Sequence, residues 1–196
     1  MLREKLKDHK IILASGSPRR HQFLNELDVP YTVDLRPVKE HYPNHLKGSE
    51  ITNYLSELKA KVFLKELNDK DILITSDTIV WHNEEALGKP EDPSEAYKML
   101  ESLSGTTHKV ITSVTFTTTT LQKTVHSTTA VTFKKLSREE IEYYIQNYDP
   151  LDKAGAYGIQ EWIGLIGITR IEGSYFNVVG LPTHMVYKTL LEIASR

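Results

Sequence analysis

Two apolar runs of strand length, Ile11-Ile12-Leu13-Ala14 and "DILITS" at 71–76, lack any regular polar alternation and read as buried strands. Further on, the pattern changes to period two. Val110, Thr112, Val114 and Phe116 fall on one face, with Ser113, Thr115 and Thr117 on the other. Val125, Thr129, Val131 and Phe133 repeat the alternation on the return. That is an antiparallel pair, whose threonines read as β-formers on a half-exposed face. A chain holding both kinds of strand, interleaved with helical segments, argues for α/β architecture with a mixed, partly antiparallel sheet.

The remaining segments fit between these strands. A helix is expected over about 18–27, a short strand at 31–35, and a loop at 36–48 punctuated by Pro37, Pro43 and Gly48. A helix over about 49–67 places Ile51, Leu55, Leu58 and Val62 on one stripe. Asp77 comes directly after the 71–76 strand, and a hairpin follows with its turn near Asn83. Helices at 93–103, stopped by Gly105, and at 138–147, a glycine-rich stretch at 155–173 and a helix begun by Pro182 complete the chain. At 196 residues this reads as one domain spanning 1–196, with two lobes around a cleft.

The corner "ASGSPRRHQF" breaks a rule that the chain obeys elsewhere. Ser17 reads as a helix N-cap and Pro18 as the first helical residue, which puts Arg19 and Arg20 in the first turn. Cations there face the positive end of the helix dipole and cost about 0.3–1 kcal/mol each. By contrast, "DPSE" at 92–95 and "SREE" at 137–140 place an acid where the dipole favours one. A bound anion would resolve the conflict, since N–H groups, dipole and two guanidinium groups would all face it. The alternative is two solvated surface arginines.

Charge and composition exclude several classes. Net charge is −2, so no global field attracts nucleic acid and any anion site is local. The absence of cysteine excludes disulfides, thiolate nucleophiles and cysteine-based zinc sites. The charged start "MLREKLKDHK" does not resemble a signal peptide, and "WIGLIGI" at 162–168 is too short to span a bilayer. The expectation is a soluble cytoplasmic protein with no membrane partner. No phosphate-binding loop of the G-x-x-x-x-G-K type, dinucleotide fingerprint, paired-histidine zinc motif or G-x-S-x-G elbow is present.

Asp77, at the carboxyl end of a buried strand, stands where α/β proteins place ligands, as metal ligand or general base, or else simply starts a turn. Thr78 beside it also suits a plain strand. Glu40 reads as a loop acid, Lys59 flanks the stripe of its helix and either leans towards a cleft or snorkels as a surface lysine, and Lys89 is held between Gly88 and Pro90. In "DKAGAYGIQ", Gly155 and Gly158 would let backbone approach a ligand, and Tyr157 could stack on a base. Gln160 carries the donor and acceptor that read a base edge, while a flexible linker is the other reading.

Taken together, "LASGSPRR", "SDTIV", "GKP", "LSGTTHKV", "PLDKAGAYGIQ" and "GSYFNVVGLP" resemble the Maf family of nucleoside triphosphate pyrophosphatases from Ile12 to about Leu191. The resemblance implies an elongated mixed sheet of the Maf/ITPase-like kind, flanked by helices, with two lobes around a deep cleft. It implies hydrolysis of a nucleoside triphosphate between the α and β phosphates, with Mg²⁺ or Mn²⁺ as divalent cation. The family's proton-accepting aspartate falls on Asp77, its phosphate corner on Ser15, Ser17, Arg19 and Arg20, and its lysines on Lys59 and Lys89. Glu40 aligns with a family glutamate and joins Asp77 as metal ligand, although Lys39 replaces the usual acidic neighbour.

The branch that prefers dTTP and UTP carries Arg, Thr and Gln at three selectivity positions, here Arg19, Thr78 and Gln160. A sibling branch acting on 7-methyl-GTP differs there. Modified pyrimidine nucleotides are alternative substrates, and the resemblance suggests a homodimer. The family's association with septum formation gives a second class, a nucleotide-binding regulator of cell division with little turnover. The intact set Arg19, Asp77, Lys89 and Gln160 argues instead for an active enzyme.

Overall fold

The structure, a computed structural model, describes residues 1–195. Its elements in chain order are α1 (Leu2–Lys5), β1 (Lys10–Leu13), α2 (Pro18–Glu26), β2 (Tyr31–Val33), α3 (Ser49–Lys61), β3 (Asp71–His82) and β4 (Glu85–Leu87). There follow α4 (Pro93–Leu103), β5 (Thr107–Thr117), β6 (Gln122–Phe133), α5 (Arg138–Asn147), α6 (Trp162–Gly167), β7 (Ile168–Glu172), α7 (Tyr175–Val179) and α8 (Thr183–Ala194). Single 3-10 turns occupy Pro150–Asp152 and Ala154–Ala156.

Among the described residues the strands hydrogen-bond in the order β2-β1-β3-β5-β6-β7, with β4 on β3. β1 pairs in parallel with both β2 and β3, while β4 on β3 and β7 on β6 are antiparallel. The mixed sheet expected from the two strand patterns is therefore the one observed. The turn at Asn83 is also where the sequence places it. Asn83 and Glu84, with φ of 49° and 63°, close the β3–β4 hairpin between His82 and Glu85.

The chain folds as two compact units. One comprises Met1–Asp77, Thr112–Ser127 and the segment from Gly180 onward. Its core holds Ile12 of β1, Ala60 of α3, Phe63 and Leu73 of β3. Leu2 and Leu6 are buried as α1 packs on α8. The other comprises Thr78–Ile111 and Thr128–Val179. There Tyr144, Phe133, Leu100, Leu103 and Ile163 are buried, and Ser137 and Glu140 form the capping box read from their spacing. Asp92 caps α4 by accepting the Glu95 N–H at 2.8 Å.

Three expectations are corrected. The strand beginning at Asp71 does not stop at Ser76 but continues to His82, so Asp77 lies mid-strand. The parallel partner β1 ends at Leu13, opposite Ile74, so Asp77 still lies beyond the carboxyl end of its neighbour. The helix expected over 49–67 ends at Lys61, and Val62, meant for its apolar stripe, is exposed. In its place Thr52 and Ser56 are buried, their hydroxyls 2.6 Å and 2.8 Å from those of Ser113 and Thr115 on β5. That same ladder explains the third correction. Ser113, Thr115 and Thr117 are buried rather than half-exposed, because a hydroxyl-bearing helix covers Ser113 and Thr115.

Gly155 adopts φ +67°, and a Cβ there would lie 2.7 Å from Cγ2 of the buried Val80. Gly155→Ala should therefore lower unfolding stability by about 1–3 kcal/mol, read from urea denaturation.

Candidate active site

The strand-to-helix corner after β1 is built around a side chain rather than around its helix cap. Ser17 is extended, and its hydroxyl makes no capping bond, contrary to expectation. The Arg20 N–H that such a hydroxyl would take is already bonded to the Ser17 carbonyl at 3.1 Å. Instead Ser15, buried, turns its Oγ inward to accept the Ser17 N–H at 3.3 Å and an Arg20 guanidinium N–H at 3.2 Å. His21 fixes the same corner, its Nε2 lying 2.6 Å from the Ser15 carbonyl.

Arg20 therefore points inward, and the solvated-arginine reading fails for it. Its Nε donates to the Gly180 carbonyl at 3.0 Å and its NH1 to the Ser76 carbonyl at 3.1 Å. Burial lowers its pKa to about 10, opposed by Asp77 and helped by the neighbouring charge of Arg19, so it stays cationic at neutral pH. The residue whose carbonyl it holds directly precedes Asp77 in β3. The guanidinium thus ties the corner to the strand that carries the carboxylate.

Asp77 is buried, and Lys59 from the last turn of α3 donates to its Oδ1 at 2.6 Å. The same ammonium lies 3.2 Å from Glu40 Oε2 in the loop after β2. Burial pushes the Asp77 carboxyl above the usual carboxylate range, and the charges of Lys59 and then Arg20 hold it back. The expected Lys59 is thus a neighbour of both predicted acids, not a surface lysine. Ser15, Ser17, Arg19, Arg20, Glu40, Lys59 and Asp77 all belong to one compact unit.

Among the described residues no group of three or more His, Cys, Asp or Glu converges as a ready-made metal cage. Two carboxylates that already meet at one cation, Lys59, do suit a hard divalent ion. Mg²⁺ is commonly held by one or two carboxylates with phosphate oxygens and water completing its shell.

Thr78, Lys89 and Gln160 belong to the other unit. Thr78 is half-buried in β3, whereas Lys89 and Gln160 are exposed. The Gly155 N–H donates to the Gly88 carbonyl at 2.9 Å, which fastens the Lys89 stretch to the turn that leads to Gln160. The stretch is no flexible linker, and its glycines serve packing within the chain. A Cβ on Gly158 would meet the Glu161 carboxyl at 2.8 Å.

Tyr157 is not free to stack on a base. It is buried with its hydroxyl 2.7 Å from His108 Nε2, and its ring packs edge-on against Phe133. Burial and nearby His82 bring the His108 pKa down to about 3, so that imidazole is neutral. Sequence reading also missed Lys153, buried and held by the Asp149 carbonyl at 2.7 Å, Asp152 at 2.6 Å and Glu161 at 3.1 Å. Its only signal was an unexplained lysine inside "DKAGAYGIQ". No helix among the described residues is long and apolar enough to cross a membrane.

A family model described as Maf-like protein matches residues 10–193. A protein of Christiangramia forsetii named dTTP/UTP pyrophosphatase is 61% identical over 195 residues, covering 100% of both chains. One of Flavobacterium johnsoniae with the same name is 59% identical over 190 residues, covering 97% of this chain and 98% of its own. Among solved structures, the Staphylococcus aureus Ham1 protein superposes with a TM-score of 0.51 at 16% identity, covering 92% of this chain and 99% of that one. That likeness shows the fold alone.

Arg20→Ala removes the donor to Ser15, Ser76 and Gly180 together. It should cost about 1–3 kcal/mol of stability, measured by urea unfolding without nucleotide.

Proposed function

This chain belongs to the Maf-like family, and from that premise we propose that it hydrolyses dTTP and UTP to the monophosphate and pyrophosphate. The observation that carries the reading is Arg20, whose guanidinium joins Ser15 of the anion-favouring corner to the carbonyl next to Asp77. A triphosphate received at that corner has a buried carboxylate within reach. Full-length identity of 61% to a relative named for that reaction supports the substrate class.

In this reading the corner formed by Ser15 and Ser17 receives phosphate oxygens, with Arg19, Arg20, Lys59 and Lys89 matching their charge. Asp77 takes a proton from the water that attacks the α phosphorus. The bond from that phosphorus to the bridging oxygen breaks, and pyrophosphate leaves. Glu40 and Asp77 would hold a Mg²⁺ or Mn²⁺ ion, which supplies charge neutralisation and polarises the attacked phosphate. Arg19, Thr78 and Gln160 set the preference for the pyrimidine base. The chain works in the cytoplasm, as a homodimer.

The test is pyrophosphate release from a nucleotide panel with Mg²⁺ or Mn²⁺. Turnover of dTTP and UTP is expected, falling about 10²–10⁴-fold in Asp77→Asn with nucleotide binding largely kept. Preference for 7-methyl-GTP would overturn the assignment of Arg19, Thr78 and Gln160, and nucleotide binding without turnover would favour a regulator. Gln160→Ala should leave catalysis running while narrowing the preference for dTTP over GTP by about tenfold, compared as kcat/KM.

A further inference from the structure

Lys59 makes a contact that its assignment to phosphate does not explain. One ammonium serves two carboxylates, 2.6 Å from Asp77 and 3.2 Å from Glu40. The pair with Asp77 is sheltered, the side chains being 18% and 9% exposed, whereas Glu40 at 52% stands on the solvent side. The base of the lysine is fixed. It leaves the last turn of α3, where a cation suits the helix dipole, and α3 is pinned to β5 through Thr52 and Ser56. Its head is held only by the two carboxylates, and rotation about four methylene carbons can redirect it without moving that anchored backbone.

A second cation arriving between Glu40 and Asp77 meets the ammonium already there, and like charges at that range exclude one another. We propose that Lys59 is a resident counter-cation, which keeps Glu40 and Asp77 together and yields their oxygens to the divalent ion only when nucleotide phosphates offer the ammonium another partner. The proposal rests on the reading of Glu40 and Asp77 as metal ligands. Its consequence is that metal and nucleotide bind with positive coupling, each improving the other's affinity by the same factor. Metal alone is admitted poorly, which spares the enzyme an ion bound without substrate.

The experiment is Mn²⁺ binding to the full chain at pH 8, read as loss of the free-ion EPR signal without nucleotide. Lys59→Met should bind Mn²⁺ about tenfold or more tightly than wild type, while Lys59→Arg, which restores a cation, should return to wild-type weakness. Equal affinity in wild type and Lys59→Met overturns the proposal. Asp77→Asn and Glu40→Gln separate the two readings. Measured with saturating α,β-methylene-dUTP, where wild type binds Mn²⁺ well, both should bind it about tenfold or more weakly; if both bind as wild type does there, the metal site itself is elsewhere and the underlying reading falls first.

A measurement on wild type stands if Lys59→Met fails to fold. The ¹³C signal of the Lys59 ε carbon, assigned with Lys59→Arg, should move when Mg²⁺ and α,β-methylene-dUTP are added together and stay in place with Mg²⁺ alone. A signal unmoved by both at saturation overturns the proposal.

Discussion

An aspartate in the middle of a buried strand has to be matched by positive charge, and much of the surrounding architecture follows from that need. Asp77 is supplied with it from two directions. Lys59 bonds it directly from α3, and Arg20 approaches from the corner after β1 by way of the Ser76 carbonyl. Neither cation is incidental to the fold. Remove either and a desolvated carboxylate loses a charge that offsets its burial, a loss that costs more in the interior than at the surface. The same two residues flank the carboxylate proposed as the catalytic base, so in that reading stability and function share one set of contacts.

The hydroxyl ladder between α3 and β5 places Lys59 where it is needed. An oily helix face would pack on the sheet equally well but could slide by a residue with little loss. Thr52 and Ser56 against Ser113 and Thr115, with Asn53 Oδ1 accepting from Ser113 at 2.7 Å, permit one register. The lysine one turn beyond the ladder is thereby aimed.

Much of this was legible in the sequence. Apolar runs and period-two threonines gave the mixed sheet, and the conflict of two arginines with a helix dipole marked the corner. Asp77 was singled out through the rule that ligands gather beyond strand ends, although the end in question belongs to β1 and not to its own strand. The failures share a cause. Counting apolar residues extended α3 through Val62 because the burial of Thr52 and Ser56 depends on hydroxyl partners some sixty positions away. Tyr157 was free to be read as a base-stacking ring for the same reason, since its partner His108 lies 49 positions away. The acceptors of Arg20 at Ser76 and Gly180 are main-chain carbonyls, which no side-chain pattern announces.

The bond from Arg20 to Gly180 spans 160 positions of chain. During synthesis on the ribosome, the corner after β1 emerges early, yet its guanidinium lacks one carbonyl partner until the segment leading into α8 has been made. A nascent chain therefore carries that corner in a loosened form until Gly180 has been made. The corner reaches its full set of contacts only when chain 160 positions away has folded back onto it, so its order depends on long-range closure and not on the local turn.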